Sequence, residues 1–145
     1  MDAGAGLTGS WRVRAIRPAF SDACRLVKKA RDQMEIRSHA LKLRYWPATN
    51  PMDESGKVLD LDWSWVRSLP GLGIGELRIE DVIGGNDNLR IIFFVGDDKV
   101  RDPLPLMWIL RVMQKKRQDF SKHDLAIFKA RRALVIERFY NHRDN

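Results

Sequence analysis

Three strand-like runs lie between Gly75 and Met113: Gly75–Ile79 (GELRI), Leu89–Val95 (LRIIFFV) and Leu106–Met113 (LMWILRVM). Turn-forming residues separate them, and this ordered set constrains the fold more than any other feature of the chain. Side chains alternate along a strand, so Leu77 and Ile79 point to one face and Arg78 to the other. By the same rule Arg90 shares its face with Ile92 and Phe94. Gly84-Gly-Asn-Asp-Asn88 reads as a hairpin connection between the first two runs. Gly96-Asp-Asp98 marks another turn, and Asp102-Pro-Leu-Pro105 delays the third run. A small antiparallel sheet is the expectation.

The flanking segments supply helices. Trp11–Ile16 alternates apolar and polar residues and reads as a short half-buried strand. Pro18 and Ser21 then offer helix-start chemistry. Phe20, Cys24, Val27, Ala30 and Met34 recur at spacings of three and four, which predicts the buried stripe of an amphipathic helix. The pattern blurs near Glu35 and resumes at Ile36, Ala40 and Leu43, so a second helix or a kink is expected before Pro47 ends the segment. Residues 47–57 form a turn-rich loop. In LDLDWSWVRSL, Asp60 or Asp62 can cap a short helix with its tryptophans in the core, and an alternating strand is the competing reading. Ser121 and Asp124 form a capping box that opens a helix carrying Leu125, Phe128, Arg132, Val135, Ile136 and Phe139 near one face. The element order is β-α-α-(α)-β-β-β-α, an α+β layout with helices packed on one side of the sheet.

At 145 residues, with 44% apolar and 31% charged side chains, the chain has the size and composition of one globular domain. Residues 1–10 read as a flexible N-terminal tail and 11–145 as a single domain. No apolar run reaches the ~18 residues of a membrane span, and the first ten residues lack the features of a secretory signal. Cys24, alone in the chain, cannot form an internal disulfide. Its apolar helical position predicts a buried structural thiol, and the cytoplasm is the expected compartment.

Charge is unevenly spread around a net of +7. Residues 1–46 hold ten Lys and Arg against four Asp and Glu, residues 47–98 four against ten, and residues 99–145 twelve against five. Basic ends suit a nucleic acid or an acidic protein partner, although solvated helix faces give the same sign. Other chemistries lack their signatures. Gly71-Leu-Gly73-Ile-Gly75 is followed by a strand rather than a helix, which excludes a dinucleotide loop. His39, His123 and His142 are scattered without a partner cysteine or an H-x-x-x-H pair, so no metal site is expected. No serine sits in a nucleophile elbow.

The cations of the strand set are the serious candidates. Arg78 and Arg90 occupy polar steps of two strands. The third strand ends in Gln114-Lys115-Lys116-Arg117, so adjacency would gather arginines and lysines around one phosphate. An ordinary solvated basic surface explains the spacing equally.

Glu76-Leu77-Arg78-Ile79, Leu89-Arg90-Ile91-Ile92-Phe93-Phe94 and Trp108–Met113 running into Lys115-Lys116, followed by a helix at Ser121–Tyr140, resemble the RelE/ParE superfamily of bacterial toxins. The likeness is greatest to its HigB-type branch and covers about 60 residues. The resemblance implies a RelE-like fold with an N-terminal helical hairpin and a C-terminal helix. It implies cleavage of messenger RNA on the ribosome without a metal or small-molecule cofactor, growth arrest, and silencing by a cognate antitoxin. In that chemistry the RNA 2′-hydroxyl attacks the adjacent phosphorus, and the protein orients it, stabilises phosphoryl charge and moves protons. By position Arg78 and Arg90 would hold the scissile phosphate, and Lys115 and Lys116 would stabilise its transition state. His123 is the candidate general acid or base, with Tyr140 a further possibility, and Arg117, Lys122 and Arg111 would contact RNA. The ParE branch offers a different expectation, a non-enzymatic toxin that inhibits DNA gyrase. A basic RNA-binding module without toxicity is the third.

Overall fold

The computed structural model describes residues 11–96 and 105–140. The expected tail at 1–10, most of the expected excursion at 102–105 and His142 lie outside the described residues. So do Asp97 and Asp98 of the expected turn after Gly96.

Five strands form one sheet: β1 (Arg12–Ala15), β2 (Trp63–Trp65), β3 (Ile74–Ile79), β4 (Leu89–Val95) and β5 (Leu106–Gln114). Their spatial order is β1-β5-β4-β3-β2. The three runs legible in the sequence are the adjacent strands β3, β4 and β5, joined antiparallel. The sheet as a whole is mixed rather than antiparallel, because β1 pairs parallel to β5. The segment at Trp63–Trp65 is an edge strand on β3, not a short helix. Its indoles are used in stacking: the Trp46 ring lies 5.1 Å from Trp63, 5.6 Å from Trp65 and 5.5 Å from Trp11.

Three helices are described: α1 (Arg17–Leu26), α2 (Ala30–Leu41) and α3 (Lys122–Phe139), with a 3-10 turn at Lys42–Tyr45. They cover both faces of the sheet, not one. Alternation sends Leu77, Ile79, Leu89, Ile91 and Phe93 into a core with Ala19, Val27 and Ile36 of the α1–α2 region. The opposite face sends Ile74, Ile92, Phe94, Trp108 and Leu110 into a second core with Phe128 and Val135 of α3. Each fully buried aliphatic or aromatic side chain contributes about 1.5–3 kcal/mol, so neither face is dispensable.

The expected stripe of a single helix from Phe20 to Met34, with a second helix or kink near Glu35, is corrected: the break comes at Val27. The chain leaves the helical conformation at Val27, and α2 begins three residues later. Phe20 and Met34 are 66% and 67% exposed, and Cys24 is only half-buried. Ala19, Val27 and Ile36 face the core instead. The break seats the β3–β4 turn: Asn86 donates to the Leu26 carbonyl at 3.1 Å, and Gly84 lies against Val27. Gly84 has φ +58°, and a Cβ there would come within 2.9 Å of the Val27 side chain. Backbone conformation and lack of space both call for glycine.

Candidate anion-binding face

Arg78 and Arg90 are direct Cα partners across β3 and β4, and Arg90 is in turn paired with Met113 of β5. All three positions look toward the α3 side of the sheet, opposite Leu77, Ile79 and Leu89. Two like charges placed opposite each other repel, so a counter-charge is required. Glu76, two residues before Arg78 on the same face, supplies it. Its carboxylate is buried, 3.3 Å from Arg78 Nη2 and 3.9 Å from Arg90 Nε. Arg78 also donates to Asp62 at 3.0 Å and to the Ser64 hydroxyl at 2.7 Å. Arg90 Nη1 donates to the Leu89 carbonyl at 3.3 Å, while its buried Nε has no hydrogen-bond acceptor among the described residues.

The lysines lie beyond the end of β5. Lys115 N–H still donates to the Asn88 carbonyl at 2.9 Å, which holds the strand exit beside β4. Lys115 Nζ stands 4.4 Å from the centroid of the Phe120 ring, within cation–π range. Lys115, Lys116 and Arg117 line a cleft of about 470 Å³ together with Arg25, Arg111, Asp22, Asp119 and Asp124. Asp22 and Asp124 are taken by Arg25, Arg131 and Arg111, which leaves the cleft cationic at its β5 exit. Among the described residues Lys115, Lys116 and Arg117 form no ion pair. Arg78 and Arg90 do not line this cleft.

Arg111 reaches the cleft through an irregularity in β5. Ile92 pairs with Arg111 but Phe93 pairs with Ile109, so Leu110 is an extra residue. The bulge turns Leu110 and Arg111 both toward α3, where Arg111 donates to Asp124 at 2.9 Å and lies over Phe128. Asp124 also closes the expected capping box with Ser121. Burial pushes its carboxyl up, but hydrogen bonds from the Ser121 backbone and hydroxyl and the Arg111 guanidinium outweigh this and hold it below the usual value.

The remaining expected residues separate from this group. His123 and Lys122 occupy exposed positions in the first turn of α3, and neither lines the cleft. Tyr140 accepts a hydrogen bond from Trp108 Nε1 at 3.1 Å, at the far end of α3. Two partners were not read from the sequence, Glu76 and Asp22. Glu76 carried a signal, since a carboxylate at i−2 of a strand arginine shares its face. Asp22 carried none for its place on β5, because its contacts with Val112 and Arg131 are long-range.

No protein-family model, curated protein or solved structure matches this chain.

Proposed function

We propose that the chain is a toxin of the RelE/HigB type, a ribosome-dependent messenger-RNA endoribonuclease held in check by an antitoxin. The observation that carries this reading is the cross-strand pair Arg78–Arg90, set on the strands beside a β5 exit that bears Lys115, Lys116 and Arg117. The cations of the exit, which form no ion pair among the described residues, would take the phosphate backbone, since a guanidinium or ammonium remains charged at neutral pH. Arg78 and Arg90, held by Glu76, would then meet the scissile phosphate, and the RNA's own 2′-hydroxyl would act as nucleophile. His123 is the remaining candidate for proton transfer, and its exposed place on α3 requires the ribosome or the RNA to complete the site. Expression of Glu76→Gln/Arg78→Ala/Arg90→Ala, which removes the buried carboxylate together with its two counter-charges, should abolish growth arrest and transcript cleavage while the protein still accumulates folded. Unchanged cleavage would remove both arginines from the site.

One observation favours a second reading. Arg78 is already committed to Asp62, Ser64 and Glu76, which suits a structural cation in a non-enzymatic, ParE-like toxin that inhibits gyrase. Gyrase inhibition without transcript cleavage would establish that reading. Growth that continues under strong expression, with neither effect, would favour a non-toxic RNA-binding module.

A further inference from the structure

The fold brings Asp81, 42 residues beyond His39 in sequence, beside two side chains of α2 whose chemistry suits a metal. Glu35 and His39 are four residues apart on α2 and therefore share one helix face. Asp81, in the turn that follows β3, meets them there. One donor atom from each lies within 4.8 Å of the others. His39 Nε2 and Asp81 Oδ2 are already 3.2 Å apart. Two ligands of a tetrahedral zinc ion, each at about 2.1 Å from the metal, are separated by roughly 3.4 Å. The Glu35 carboxylate oxygen, within 4.8 Å of both, would supply the third ligand.

We propose that Glu35, His39 and Asp81 form a binding site for a divalent first-row transition metal such as Zn2+, with a fourth position open to water. Four arguments support it. The donor set, one imidazole and two carboxylates, is a borderline nitrogen and oxygen set suited to such an ion. Two carboxylates brought this close repel each other, and a dication between them removes that penalty. Among the described residues Glu35 has no hydrogen bond or ion pair that would otherwise explain its place. The imidazole is also held in position, its side chain only 13% exposed, whereas Asp81 at 62% is free to adjust.

Lys42 is the competing cation. Its Nζ lies 3.1 Å from His39 Nδ1 and 3.3 Å from the Asp60 carbonyl. With the ammonium donating to Nδ1, the ring proton sits on Nε2 and points at Asp81. Metal at Nε2 moves that proton to Nδ1, so Lys42 must leave the ring and keep only Asp60. Lysine contact and metal binding are mutually exclusive, and this sets the sign of a test.

None of the three ligands lines the cationic cleft, so the site does not depend on the proposed toxin function. Titration of the whole chain with ZnCl2, followed by calorimetry and thermal melting, should give one saturable site and a rise in Tm reversed by EDTA. At zinc about 100 times Kd the rise should be about 5–10 °C. His39→Ala should weaken binding at least tenfold, Asp81→Asn should weaken it similarly, and His123→Ala should leave it unchanged. Lys42→Met should bind as tightly as the native chain or more tightly. Absence of saturable binding, full binding by both His39→Ala and Asp81→Asn, or loss of binding in His123→Ala would overturn the site. Weaker binding by Lys42→Met would overturn it as well, because the lysine could not then be a competitor.

Discussion

Asp124 shows how one residue serves two purposes. Its carboxylate accepts from the Ser121 backbone N–H at 3.1 Å and from Arg111 at 2.9 Å, so it closes the helix cap and anchors a cleft cation together. Ser121→Ala should cost about 1 kcal/mol, read as a shift of the urea midpoint. The folded pKa of Asp124 is depressed, so its contribution is present above the unfolded carboxylate value and is lost as pH falls below about 4. Asp124→Asn should therefore flatten the acid limb of a stability-versus-pH curve while lowering stability at neutral pH. An acid limb identical to that of the native protein would refute the assignment. Glu76 is the other demanding residue. Glu76→Ala leaves Arg78 facing Arg90 with a buried charge unbalanced, and a loss of about 3 kcal/mol in urea denaturation is expected.

At the level of elements, β5 has an edge problem that α1 and α3 solve. β1 pairs with Leu106–Ile109 only, so the later part of β5 would present unpaired backbone groups. Asp22 of α1 accepts from Val112 N–H at 3.3 Å, and Arg131 of α3 donates to the Leu110 carbonyl at 2.9 Å. The two side chains are themselves bridged at 2.7 Å, which closes the edge with an ion pair from both sides of the sheet. Asp22→Ala removes the strand partner and leaves Arg131 uncompensated, with an expected loss of about 3 kcal/mol and faster hydrogen exchange at Val112. Protection of that amide unchanged in the variant would rule out the capping role. Between β3 and β4 the fit is steric. A Cβ on Gly75 would overlap the Phe93 ring, so Gly75→Ala should destabilise by about 1–3 kcal/mol through displacement of that ring, measured by equilibrium unfolding.

Across the whole molecule, charge is sorted by structure as much as by sequence. The acidic middle of the chain places Asp62 and Glu76 beside Arg78, whereas the basic C-terminal third leaves Lys115, Lys116 and Arg117 without carboxylate partners among the described residues. Single-stranded RNA should bind at the β5 exit with strong salt dependence. Each phosphate contact removed should reduce the slope of log K against log salt by about 0.7. Lys116→Ala/Arg117→Ala should show that reduction, and an unaltered slope would place the RNA elsewhere.

The alternation of Gly75–Ile79 and Leu89–Val95, the glycine-rich hairpin and the Ser121–Asp124 box are local signals, and each was legible because strand period, turn chemistry and capping act over a few residues. They determined the three central strands, the faces of Arg78 and Arg90, and the start of α3. The parallel placement of β1, the second helical layer, the break at Val27 and the bulge at Leu110 depend on contacts between distant segments. The exposure of Phe20 and Met34 has the same cause, since helical periodicity names a face without saying what covers it. Only the tertiary structure put Glu76 between two arginines, Asp22 on the β5 edge and Asp81 beside Glu35 and His39. Charges separated by tens of residues become neighbours only when packing has chosen which surfaces meet.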